Sequence, residues 1–119
     1  MPLRVILVDD DGRFRALARR TLIAEGIDVV ADVGSGSMIA ELVAQWKPDV
    51  ALIDIQMPDI DGLSVARTLK ESGGGPVVIL ISTRDQDYGD RIASGVAAGY
   101  LPKDHLSLAA IVALAGAGG

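Results

Sequence analysis

Five short apolar runs, each followed by a stretch with helical periodicity, constrain this chain more than any other feature of it. The runs fall at residues 3–8, 29–31, 50–53, 77–81 and 100–101. They are rich in β-branched residues and lack polar alternation, as strands buried on both faces of a parallel sheet do. Strand–helix alternation repeated five times within 119 residues specifies an α/β sandwich. Right-handed crossovers cover both faces of such a sheet only if the strand order doubles back. The common five-stranded solution is the order 2-1-3-4-5, a (βα)5 doubly wound parallel sheet.

The first helical stretch sets Phe14, Leu17, Ala18, Thr21 and Leu22 on one face, with Arg13, Arg15, Arg19 and Arg20 on the other side. It stops at Gly26, a good left-handed C-cap. The second carries Ile39, Leu42, Val43 and Trp46 at helical spacing, is capped by Ser35 or Ser37, and ends before Pro48. The third is expected over 62–71 and breaks at Gly73-Gly74-Gly75. The fourth, around 87–98, contains Gly89 and Gly95 and is expected to be the least stable, since an interior glycine costs about 1 kcal/mol. The fifth begins near Asp104 and fades into residues 116–119.

Composition narrows the function. Half of the residues are hydrophobic, which excludes disorder, and only 3% are aromatic, so Val, Ile, Leu and Ala must build the core. The length suits one domain over residues 1–119. A net charge of −5 argues against direct nucleic-acid binding, which needs clustered Lys and Arg. The absence of cysteine rules out disulfide scaffolds and thiolate metal sites and fits a reducing cytosol. Neither a signal peptide nor a membrane span is expected, because no long apolar run follows a basic start.

Ligands of an open parallel sheet bind beyond the carboxyl ends of the strands, at the switch point. Here strand 1 ends in Asp9-Asp10-Asp11, strand 3 in Asp54 and strand 4 in Ser82-Thr83, while Lys103 follows strand 5. Strands 1 and 3 are neighbours in the expected order, which gathers Asp9, Asp10 and Asp54. Carboxylates so placed repel one another unless a cation sits among them. An all-oxygen set without His or Cys suits a hard ion such as Mg²⁺. A lysine and a hydroxyl at the same edge complete what an aspartyl phosphate needs.

Val5-Ile6-Leu7-Val8-Asp9-Asp10 opens a series of motifs. It is followed by Leu52-Ile53-Asp54-Ile55-Gln56-Met57-Pro58 with Asp61-Gly62, then Ile79-Leu80-Ile81-Ser82, then Gly99-Tyr100-Leu101-Pro102-Lys103-Asp104. In this order and spacing they resemble the response-regulator receiver domain of two-component signalling, over essentially the whole chain. The resemblance implies the flavodoxin-like receiver fold and phosphorylation of Asp54. It implies Mg²⁺ held by Asp9, Asp10, Asp54 and the main-chain carbonyl of Gln56. Ser82 and Lys103 would bind the phosphoryl group, and Ser82 and Tyr100 would form the switch. It further implies a cytoplasmic protein served by a sensor histidine kinase or phosphotransfer protein. The surface of the fourth helix, fifth strand and fifth helix would respond, and a homodimer or an effector domain could use it. Two departures stand out: Thr83 where a small residue is usual, and Asp104 in place of the frequent proline after the lysine, with Pro102 before it.

Other readings compete at individual residues. Asp11, Asp59 and Asp61 are read as helix caps or turn formers. The arginine face is read as solvated, and His105 as exposed and no ligand. Gly34-Ser35-Gly36-Ser37 lacks the lysine of a P-loop and is read as a turn and cap. A phosphatase with an aspartyl nucleophile would need a second acid at Gln56, so turnover of an external substrate is not expected. The alternative to the phospho-acceptor is a receiver-like interaction module that works without phosphorylation. Finally, no residue from 107 to 119 is charged. Leu108, Ile111, Val112 and Ala115 are expected to form the buried stripe of the last helix, leaving Ala109, Ala110, Ala113 and Leu114 to flank it or face outward, either as a contact surface or simply as good helix formers.

Overall fold

A computed structural model describes residues 3–55, 62–71, 75–82 and 98–118. Its strands are β1 (Arg4–Val8), β2 (Asp28–Val33), β3 (Val50–Asp54), β4 (Val77–Ser82) and β5 (Gly99–Pro102). They form one parallel sheet in the order β2-β1-β3-β4-β5, as the alternation requires. The helices are α1 (Gly12–Ala24), α2 (Ile39–Trp46), α3 (Gly62–Glu71) and the C-terminal α4 (Leu108–Gly118). The helix expected over 87–98 lies outside the described residues.

Apolar residues pointing alternately up and down the strands build two cores. Val5, Leu7, Leu52, Ile79 and Ile81 meet α1 and α4 through Ala18, Leu22 and Ile111. Ile6, Val8, Ala51, Ile53 and Leu80 meet α2 and α3 through Ile39, Val65 and Leu69. β3 is buried along its whole length, which explains why its sequence shows no polar alternation. One irregularity interrupts the pairing of β1 with β2. Val5 lies opposite Val29, but Ile6 lies opposite Ala31, so β2 carries an extra residue at this point.

Local chemistry sets the boundaries. Asp11 caps α1 by accepting from the backbone N–H groups of Arg13 and Phe14 at 3.0 and 3.3 Å. At the other end Gly26, with φ +89°, donates to Ile23, while Ile27 donates to Leu22, a Schellman closure with Ile27 buried behind it. Ser35 caps the 3₁₀ turn Gly36–Met38 by accepting from the Ser37 N–H, rather than capping α2, which starts after Met38 with no side-chain cap. Lys47, left-handed at φ 46°, ends α2 before Pro48.

Two helix faces differ from expectation. On α1 the buried residues are Ala18 and Leu22, with Phe14 half-buried, whereas Leu17 and Thr21 point to solvent. The stripe is narrow because α1 covers β1 and the edge strand β2. On α4, Ile111 is fully buried and Leu114 and Ala115 pack beside it, but Val112 is 50% exposed. Leu108, Ile111 and Ala115 of the expected stripe do pack on the core, joined by Ala110 and Leu114, so the buried face is shifted away from Val112 and toward Leu114. A Cβ on Gly99 would lie 2.6 Å from Leu114 Cδ2, so glycine is what lets α4 approach the sheet this closely.

Candidate acidic site at the carboxyl edge of the sheet

β1 and β3 run side by side, with Val8 opposite Ile53, so the residues just past Val8 and at the end of β3 meet at one edge. There Asp9, Asp10 and Asp54 each offer a carboxylate oxygen, all within 4.8 Å of one another. Asp9 is fully buried, Asp54 is 4% exposed and Asp10 faces solvent. Asp9 Oδ1 accepts from the Asp11 N–H at 2.9 Å, which fixes the side-chain rotamer and leaves Oδ2 turned into the cluster.

Lys103, in the 3₁₀ turn Lys103–His105 that follows β5, brings the cation expected there, and brings it to two carboxylates. Its Nζ is 2.5 Å from Asp9 Oδ2 and 3.5 Å from Asp54 Oδ2. The contact with Asp9 is an ion pair without the angle of a good hydrogen bond, so Asp9 Oδ2 is buried with no hydrogen-bond donor. Phe14 of α1 closes over the ammonium with its ring centroid 4.5 Å away. Burial is the largest influence on the Lys103 pKa and pulls it down. The close approach of Asp9 and the charges of Asp54 and Asp9 outweigh it, so the net displacement is upward.

One ammonium does not balance three carboxylates. The donor set is all oxygen, and one of its oxygens is buried without a hydrogen bond. That donor set suits a hard divalent cation.

Ser82 lies buried at the end of β4, opposite Pro102 of β5, and so at the same edge. Tyr100 is half-buried on β5 and packs against the core beneath α2 and α3. Gln56, Thr83, Asp59 and Asp61 lie outside the described residues. His105 is exposed and belongs to no acidic or metal-ligating cluster among the described residues. The arginine face of α1 is not wholly solvated. Arg15 and Arg19 both pair with Asp32 of β2, at 3.4 and 2.6 Å, and Arg15 also donates to the Asp9 carbonyl. Sequence reasoning found the acids and Lys103 but not Phe14 or Arg15, whose roles depend on where α1 lands.

The family model of the response regulator receiver domain matches residues 5–114. The chain belongs to the response-regulator receiver family. Among relatives of this receiver, the response regulator MprA of Mycolicibacterium vanbaalenii is 37% identical over 106 residues, covering 87% of the chain and 45% of that protein. A protein-glutamate methylesterase/protein-glutamine glutaminase of Myxococcus xanthus is 39% identical over 87 residues, covering 72% of the chain and 25% of that protein. The receiver thus spans less than half the length of these relatives. Among solved structures, the signal receiver domain of NarL from Mycobacterium tuberculosis superposes with a TM-score of 0.84 at 32% identity, covering 97% of each chain. No helix of the described residues is long and apolar enough to cross a membrane.

Proposed function

We propose that this receiver is a phospho-acceptor switch in which Asp54 takes a phosphoryl group in a Mg²⁺-dependent reaction. The observation that carries the reading is the buried Asp54 carboxylate, placed between Asp9, Asp10 and the Lys103 ammonium. A carboxylate oxygen of Asp54 attacks the phosphorus of a phosphohistidine on a sensor kinase or phosphotransfer protein. The new P–O bond forms as the P–N bond breaks, and the imidazole leaves. Asp9, Asp10, Asp54 and the Gln56 main-chain carbonyl would hold Mg²⁺, which when bound supplies positive charge to the carboxylates and phosphoryl oxygens. Lys103 turns from Asp9 to the phosphoryl oxygens as a compact cation, and the Ser82 hydroxyl donates to another oxygen.

Ser82 and Tyr100 then carry the change to residues 87–98, β5 and α4. That surface would meet a second copy or an effector domain. We read residues 1–119 as one receiver domain acting in the cytoplasm. It turns over no external substrate, because Gln56 stands where a phosphatase would keep a second acid. Incubation with acetyl phosphate and Mg²⁺ should add one phosphoryl group by intact mass, and Asp54→Asn should abolish it. Equal labelling of the variant would overturn the assignment, and no labelling of the wild type would favour a phosphorylation-independent module.

A further inference from the structure

The extra residue in β2 has a chemical consequence at the acidic site. In a regular strand alternate residues share a face, so Asp32 would point to the side opposite Val29's second neighbour, toward α2 and α3. The bulge shifts this parity. Val29 and Asp32 face α1, opposite Val5 and Leu7, while Val30, Ala31 and Val33 face the other core. Asp32 thereby meets α1, where Arg15 Nε lies 3.4 Å from Oδ1 and Arg19 Nη1 lies 2.6 Å from Oδ2.

Held by Asp32, Arg15 turns its Nη1 back to the main-chain carbonyl of Asp9 and donates to it at 2.5 Å. Gly34 leaves room for this, since a Cβ there would sit 3.0 Å from the same Nη1. The Asp9 N–H already donates to the Val33 carbonyl at 3.0 Å, and Asp9 Oδ1 is taken by the Asp11 N–H. With both sides of its peptide frame and one carboxylate oxygen fixed, Asp9 has only Oδ2 left to offer.

We propose that Arg15 is a positioning residue for cation binding: steered by the β2 bulge and Asp32, it locks the Asp9 backbone so that Oδ2 points into the acidic cluster. The inference rests on the cation pocket proposed above and adds a residue that touches neither cation nor phosphoryl group. Outer partners that orient metal ligands commonly govern affinity as strongly as a weak ligand does.

The test is titration with Mg²⁺ alone, followed through the backbone amide resonances of Asp9, Asp10 and Asp11. Arg15→Ala should raise the half-saturating Mg²⁺ concentration about tenfold. Arg15→Lys, which keeps a donor for the Asp9 carbonyl, should fall between it and wild type. Arg19→Ala removes the shorter of the two ion pairs to Asp32 but no contact with Asp9, and should bind nearly as wild type does. Unchanged affinity in Arg15→Ala, or an equal loss in Arg19→Ala, would overturn the proposal while the pocket stands. If Arg15→Ala does not fold, a natively folded Arg15→Lys with wild-type affinity would overturn it instead. A wild type that binds no Mg²⁺ would remove the pocket and the proposal together.

Discussion

Asp9 and Lys103 show how a single side chain can be committed by its surroundings before any ligand arrives. Asp9 is buried, its Oδ1 is spent on the Asp11 N–H, and its Oδ2 faces the Lys103 ammonium. Lys103 in turn is enclosed by Phe14 and two carboxylates, and its pKa is held above the ordinary 10.5 because those charges outweigh burial. A lysine that keeps its proton more tightly when folded stabilises the fold fully below its unfolded pKa. That contribution is lost as the pH rises through the raised folded value. Urea denaturation should therefore show a stability gap between wild type and Lys103→Met that stays constant around neutrality and shrinks only above pH 10.5. A gap that shrank between neutrality and pH 9 would contradict the upward displacement, with pH 9 taken as about one unit below an unshifted lysine. The acids and the lysine were legible in the chain because each ends or follows an apolar run. Their pairing was only half legible: Lys103 reaches Asp9 as well as Asp54, and only the placed turn after β5 reveals it.

Strands and helix ends were readable wherever local chemistry decides them, as at the Asp11 cap, the Gly26 closure and the stop before Pro48. Facing was harder. α4 has no charged residue to mark a solvent side, so periodicity alone did not tell Val112 from Leu114, and packing against β5 made the choice. The β2 bulge was likewise invisible, because strand parity depends on the partner's register and not on the strand's own residues. One contact between α4 and β5 gives a prediction. A Cβ on Gly99 would press into Leu114 at 2.6 Å, so Gly99→Ala should destabilise the protein by about 1–3 kcal/mol through overpacking. Adding Leu114→Ala should cost less in that background than alone, because the methyl then fills part of the space vacated. Strictly additive losses in denaturant titrations would show that the two positions do not press on each other. A further contact comes from Glu25, whose carboxylate accepts from the Leu108 N–H at 2.6 Å and ties the end of α1 to the start of α4.

At the scale of the whole molecule, a doubly wound sheet places its loops so that one edge collects β1, β3, β4 and the turn after β5. The parallel order follows from five strand–helix repeats, and the acidic cluster follows from that order, so fold and site are one inference rather than two. What the fold alone does not supply is the chemistry, for which we propose Asp54 as the atom donor to phosphorus. Borohydride trapping addresses it directly, since it reduces an aspartyl phosphate to homoserine and leaves free carboxylates untouched. After treatment with acetyl phosphate and Mg²⁺, peptide mass mapping should find homoserine at position 54 and aspartate at positions 9, 10 and 11. Homoserine at any of those three positions, or at none in a protein that has gained a phosphoryl group, would contradict the account.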